Sequence, residues 1–318
     1  MEKVIAFVVV RLSSLRLPRK QLRMIGDRRL IDWTIRGIKQ SKYVNRIVIA
    51  TTDEPESKEL EEVAAEHGVE VFFYDGDVND VVGRLNTAAS FYNCEVCLLI
   101  SGDCPLVWAP SLDKLVCKIL HDERLDMVGF CLKDGKPPIH EGMSVYRRRC
   151  WRLADGLSDT TNLREHHFPI VKLKPELFNV GCVLDDDLFY RVKHRVSVDT
   201  VADLEFMNAV YMELRQSGKE FNMPNLVELL IEKPELMNIN RDVHQMGLYE
   251  RQKRALFKVR GLDNLNLLLG MAYELTKKGV GVRFMVRDDK AREMINNRGF
   301  GTLDAEVVES EFDILISG

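Results

Sequence analysis

Apolar and polar positions alternate along the first two hundred residues in blocks that switch between strand and helix periods. Residues 4–10 form an unbroken apolar run closed by a polar loop, which predicts a buried central strand. Residues 30–39 place Leu30, Ile31, Trp33, Ile35 and Ile38 on one helical face. A second strand is predicted over 46–50, leaving through Thr51, Thr52 and Asp53, and a charged helix over 56–67 stops at Gly68. A strand over 69–73, a helix over 81–92 and a strand over 95–100 continue the alternation, and a further strand over 126–131 precedes a Lys/Gly/Pro loop at 133–138. Residues 155–167 are polar, residues 197–211 run from a strand end into a helix, residues 222–232 suit a short helix, and residues 234–246 a connecting arm.

The pattern then starts again. Strands over 255–259, 280–286 and 311–317 bracket helices over 262–277 and 288–297, which is about half of a doubly wound unit. The expected organisation is a three-layer, mostly parallel α/β domain over 1–240, a linking arm over 241–254, and a small Rossmann-like βαβ module over 255–318.

Composition narrows the ligand more than the fold. With 318 residues, 46% hydrophobic and 30% charged, the chain can bury one large core and a smaller one. A net charge of -4 and a pI near 6.0 lack the basic excess of a nucleic-acid binder. No stretch of eighteen apolar residues predicts a membrane span, and Met1-Glu2-Lys3 leads into a strand without a leader pattern, so a cytoplasmic protein is expected. Among seven cysteines, Cys94 and Cys97 have C-x-x-C spacing. Cys97 lies inside an apolar run and no second C-x-x-C exists, so buried reduced thiols are expected.

Against that acidic background, residues 11–20 stand out. Arg11, Arg16 and Lys20, with the hydroxyls of Ser13 and Ser14, follow the first strand directly, where an α/β sheet presents ligands. Such cations suit a polyphosphate, and equally a solvated basic loop. Asp103 follows the strand over 95–100, where a turn before Pro105 explains it as well as any chemistry does. Asp199 reads as an N-cap beside Thr200 and Asp203.

The loop R-L-S-S-L-R-L-P-R-K resembles the signature of the cytidylyltransferases, R-x-x-S-x-R-L-P-x-K, shared by CMP-sugar-acid synthetases and the spore-coat polysaccharide branch. Three more segments follow in the family's order: Asp80-Val81-Val82-Gly83-Arg84, Ser101-Gly102-Asp103-Cys104-Pro105-Leu106, and Val196-Ser197-Val198-Asp199-Thr200. The resemblance implies the fold of the nucleotide-diphospho-sugar transferases (GT-A/Rossmann-like) and an Mg²⁺-dependent transfer from CTP to a sugar acid or sugar phosphate. Pyrophosphate would leave, in the service of surface polysaccharide or glycoconjugate synthesis. It implies Arg11, Lys20 and Asp103 as catalytic residues, and Arg11, Arg16 and Lys20 around the triphosphate. Ser13, Ser14, Asp80, Arg84 and Gly102 would line the nucleotide pocket, although Arg84 can equally bridge Asp77 or Asp80. Asp103 and Asp199 would hold Mg²⁺. Ser144, Arg164 and His166 would meet the acceptor's carboxylate or phosphate. Family members commonly dimerise.

The chain departs from the family at Val9-Val10, where Gln-Ala is usual, at Arg19 for a glycine, and at Ser144 for an aspartate. A sugar-1-phosphate nucleotidyltransferase using UTP or dTTP, and a catalytically silent nucleotide- or sugar-binding homologue, are the rival readings. Residues 255–318 loosely resemble the start of sugar-nucleotide hydrolase or glycosyltransferase domains. The stretch Gly261-Leu262-Asp263-Asn264-Leu265-Asn266 lacks their later glycine and histidine, so a catalytically silent module is expected.

Overall fold

A computed structural model describes residues 4–245, 247, 249–303 and 309–318. The expectation about Met1-Glu2-Lys3, and the end of the arm at Met246, lie outside the described residues.

The larger unit is built in chain order from β1 (Val4–Val9), α1 (Leu30–Ile38), β2 (Arg46–Thr52), α2 (Glu59–His67), β3 (Glu70–Tyr74), α3 (Val81–Phe91), β4 (Val96–Ser101) and α4 (Ala109–His121). It continues with β5 (Met127–Phe130), β6 (Met143–Arg147), α5 (Arg148–Leu157), β7 (Val180–Val183), α6 (Val201–Gln216) and α7 (Met223–Glu232). Seven strands pair in the order β3-β2-β1-β4-β6-β5-β7, parallel except for β6, which runs antiparallel to both neighbours.

The alternation of β1 explains the layers. Val4, Ala6 and Val8 point into one core with Ile31 and Ile35 of α1, Leu60 of α2 and Leu112 of α4. Ile5 and Phe7 point into the other, against Val82 and Leu85 of α3 and Trp151 of α5. A strand covered by helices on both faces is apolar at every position, which is why residues 4–10 read as a continuous run. A third core joins Leu17 of the signature loop to Phe206 and Val210 of α6 and Leu226 of α7.

The second unit holds β8 (Arg254–Val259), α8 (Leu265–Lys277), β9 (Gly281–Val286), α9 (Asp289–Asn297), β10 (Gly301–Leu303) and β11 (Ile314–Ser317). Its four strands are all parallel, in the order β10-β9-β8-β11, around a core of its own.

Several expectations are corrected. Residues 197–200 are loop rather than a strand end, although the Val198 amide donates to the Asp103 carbonyl at 2.9 Å. The polar stretch 155–167 covers the end of α5 and a short helix, Thr161–Glu165. Cys131 and Cys182, which the sequence does not single out, form a disulfide. Cys131 directly follows β5 and Cys182 lies on the neighbouring β7, and this pairing brings the two Cα atoms to 5.0 Å across 51 residues of sequence. Cys94 and Cys97 are buried free thiols. Among the described residues no helix is long and apolar enough to cross a membrane.

Candidate active site

Strands β1 and β4 lie side by side and parallel, with Val9 opposite Ser101. The strand order reverses direction at this pair, so their following loops part and leave a crevice, the place where open α/β sheets take ligands. The Gly102 amide donates to the Val9 carbonyl at 2.9 Å, and a Cβ at this position would stand 2.6 Å from that oxygen. Glycine therefore keeps the two loops close at their root. A cavity of about 240 Å³ opens beyond them, lined by Val9, Arg11, Ser14, Arg16, Lys20, Arg84, Ser101, Asp103, His166 and Asp199 among others.

Its centre is Lys20. The ammonium donates to Asp103 Oδ2 at 2.7 Å and to Asp199 Oδ1 at 2.6 Å. Burial acts to lower the Lys20 pKa, but the two carboxylates outweigh it and hold the ammonium above its ordinary value. Burial likewise acts to raise Asp103 and Asp199. Lys20 overcomes it at Asp103, and Lys20, Arg16 and Arg195 together hold Asp199 far below the carboxylate range. The three groups stay ionised together. Ser101 Oγ fixes the other Asp103 oxygen at 2.6 Å, and Arg195 bridges Asp199 to Asp203.

Local backbone aims Lys20 inward. Arg19 has φ 55°, a left-handed conformation that glycine adopts at less cost, and it opens the 3₁₀ turn Lys20–Leu22. The Arg19 side chain turns out to Glu59, so its bulk and charge do not fall beside the cavity as the sequence suggests. Val10 is buried in the core rather than crowding a base, and Val9 supplies the wall.

The remaining expected residues divide. Arg11 lines the cavity and donates to Asn79 Oδ1 at 2.7 Å. Arg16 stands 3.4 Å from Asp199, and its buried Nη1 has no hydrogen-bond partner among the described residues. Arg84 bridges neither Asp77 nor Asp80. It donates to the carbonyls of Val10 and Val78 at 3.0 and 2.9 Å, and burial, then the charge of Arg11, pulls it down to about 10. Asp80 caps α3 through the Gly83 amide and takes both ends of the Arg164 guanidinium at 2.9 Å. Arg164 also pairs with Asp155 at 2.8 Å, so this pair fastens the start of α3 to the end of α5 and neither residue lines the cavity. Ser13 donates to Glu54, and Ser144 donates to the Tyr146 hydroxyl at 3.0 Å; both stand outside the cavity wall.

The structure adds residues that the motifs do not mark. Gln21 is buried beside Lys20, with its Oε1 unpartnered among the described residues. Glu165 and His167 flank His166 on the wall, and Gln252 reaches it from the linking arm. Gln21 adjoins the signature; Gln252 carries no local signal at all.

Among the described residues, no three His, Cys, Asp or Glu side chains gather as a metal cage. The carboxylates of Asp103 and Asp199 converge on the Lys20 ammonium. Two carboxylates at a phosphate-sized cavity are a donor set that suits Mg²⁺, which takes its other ligands from water and phosphate.

A cradle of cations facing paired carboxylates, set at the switch point of this sheet, defines a nucleotidyltransferase. Residues 5–211 match the sequence profile of the cytidylyltransferase family, and the chain belongs to that family. It is 29% identical over 255 residues to an uncharacterized protein of Methanocaldococcus jannaschii, covering 78% of this chain and 98% of that one. It is 24% identical over 246 residues to the spore coat polysaccharide biosynthesis protein SpsF of Bacillus subtilis, covering 74% and 97%. A solved cytidylyltransferase of Leptospira borgpetersenii superposes with a TM-score of 0.66 at 25% identity, over 74% of this chain and 97% of that one. The family match ends before the four-stranded sheet begins.

Proposed function

We propose that the enzyme transfers the cytidylyl group of CTP to a sugar acid or sugar phosphate with Mg²⁺, releasing pyrophosphate, in the synthesis of a surface polysaccharide or related glycoconjugate. The observation that carries this reading is the Lys20–Asp103–Asp199 cluster, with Arg11 and Arg16 on the same cavity wall. The names of relatives agree: beside SpsF, a 3-deoxy-manno-octulosonate cytidylyltransferase of Bdellovibrio bacteriovorus is 34% identical over 125 residues, 39% of this chain and 49% of that protein.

Transfer is an in-line attack on the α-phosphorus, so the protein must gather negative charge and hold the attacking oxygen in line. Arg11 and Arg16 would grip phosphate oxygens, Arg16 through its unused Nη1. Lys20 would add a point charge on the leaving side. Asp103 and Asp199 would hold Mg²⁺, which when bound neutralises charge on the phosphates. His166 stays on the wall as an acceptor contact, whereas Arg164 is engaged by Asp80 and Asp155.

The test is pyrophosphate release with CTP, UTP, dTTP, ATP and GTP, each with Mg²⁺ and a pool of sugar acids and sugar phosphates, with Asp103→Ala alongside. CTP-selective release that Asp103→Ala abolishes is expected. Equal release with UTP or dTTP would shift the reading to the sugar-1-phosphate class. Nucleotide binding without release from any pair would favour a silent homologue.

A further inference from the structure

The four-stranded module, outside the family match, holds the backbone of the signature loop. Arg283 on β9 donates from Nη1 to the Leu15 carbonyl at 3.1 Å and from Nη2 to the Ser14 carbonyl at 3.2 Å. The Val282 amide reaches the same Leu15 carbonyl at 3.2 Å. A Cβ on Gly281 would stand 2.8 Å from that of Leu15, so only glycine lets strand and loop approach this closely. Further along, Gly301 abuts Pro18 and Gly299 abuts Leu17. The other side of this loop is the cavity wall, made by Ser14, Leu15 and Arg16, and Gln252 joins that wall just ahead of β8.

We propose that the module is a positioning device for the nucleotide site: Arg283 fixes two successive carbonyls of the signature loop, so that Ser14 and Arg16 are set toward the cavity before ligand arrives. The role rests on the nucleotide reading above. A guanidinium forked across two carbonyls is worth more as an orienting clamp than a single contact, because it fixes both position and twist of the peptide between them. A loop ordered in advance does not have to be ordered on binding, which raises affinity without any new ligand contact. Arg283 touches no reacting atom and is a positioning residue. The module, read as silent from its missing glycines, takes part in the reaction from outside the crevice.

The experiment compares the full chain with Arg283→Ala, Arg283→Lys and Tyr273→Phe. Tyr273 also joins the units, donating to Glu205 at 2.7 Å, but away from the loop. Amide exchange over residues 11–20 is measured without ligand, and CTP affinity, KM and kcat with Mg²⁺. Arg283→Ala is expected to speed loop exchange and raise the CTP Kd and KM about tenfold, the size of one lost charge-assisted hydrogen bond, with kcat changed far less. Arg283→Lys, which keeps one bond and tests the clamp if the alanine variant misfolds, should fall between. Tyr273→Phe should leave loop and KM unchanged. Unchanged exchange and affinity in folded Arg283→Ala would overturn the clamp, as would equal effects of Tyr273→Phe. Faster loop exchange in Arg283→Ala beside a wild type that binds no nucleoside triphosphate would keep the clamp and overturn the nucleotide reading.

Discussion

The two sheets are built alike and used oppositely. Both are built mainly of parallel strands joined by helices, with β6 the exception in the first, and both have polar loops where their strands end. After β1 and β4 those loops carry Arg11, Arg16, Lys20 and Asp103 into one cavity. After β9, Asp288 accepts from the Ala291 amide at 2.7 Å and caps α9, and Arg292 donates to the Val286 carbonyl at 3.0 Å. The polar groups after β9 serve α9, and the second sheet meets the signature loop with the amino ends of β9 and β10 instead. The contrast teaches that a strand-loop-helix repeat is a scaffold, and that chemistry comes from which end of the strands is left with charges not consumed locally.

The largest effect that would sharpen this contrast is expected at Lys20. Lys20→Met should lower cytidylyl transfer by about a thousandfold or more, measured as pyrophosphate release. It should also cost about 3–5 kcal/mol of stability in urea unfolding at pH 7, since Asp103 loses its buried counter-charge.

The pH dependence of that loss has a definite sign. Asp103 and Asp199 are held below the ordinary 3.8, so their contribution is present above that value and fades as pH falls through the depressed values. Lys20 is held above 10.5, so its contribution is complete below 10.5 and fades as pH rises past it. The contribution of the three groups to wild-type stability should be flat between about pH 4 and 10 and fade outside this range. In Lys20→Met burial is left to raise Asp103, so the gap between the two proteins should narrow as pH falls through that raised value and as pH rises past about 10. A Lys20→Met gap that stays constant down to about pH 3 would mean that Lys20 is not what keeps Asp103 ionised.

In the second sheet, Asp288→Ala should cost only about 1 kcal/mol, the loss of a helix cap, seen as a lower Tm with unchanged transfer. A loss of transfer beyond what the Tm shift explains would break the contrast. The smallest effect is expected at Arg19. Arg19→Gly relieves a left-handed backbone and removes an exposed ion pair, so stability should change by less than about 1 kcal/mol, in the stabilising direction, with activity intact.

Much of the first sheet was legible because its strands are buried on both faces and its helices are strongly periodic. The half beyond β4 was harder. The strand read over 126–131 is β5, but β6 and β7 are only five and four residues long, and β6 runs against the rest, so no crossover pattern announces them. Helix α4 does carry Leu112, Leu115, Val116 and Ile119 at helical spacing, behind an opening that Trp108 and Pro110 make look like loop. In the site, Arg11, Arg16, Lys20 and Asp103 were readable because each lies within a short loop after a strand. Asp80 and Arg164 were not assignable, since their mutual pairing spans 84 residues and exists only in the folded chain. Arg195, Gln252 and Arg283 act across module or network contacts, for which a linear pattern holds no sign.

The turn at Arg19 has one more consequence. Arg19 and Lys20 are adjacent cations with opposite destinations, one to solvent beside Glu59 and one to the heart of the cavity. What separates them is peptide geometry rather than chemistry, so the loop works like a reading frame. Inserting one residue between Leu12 and Pro18 would shift which cation is delivered inward. A guanidinium would arrive where a compact ammonium now fits between two carboxylates, and the loop's composition would be almost unchanged while its meaning was lost.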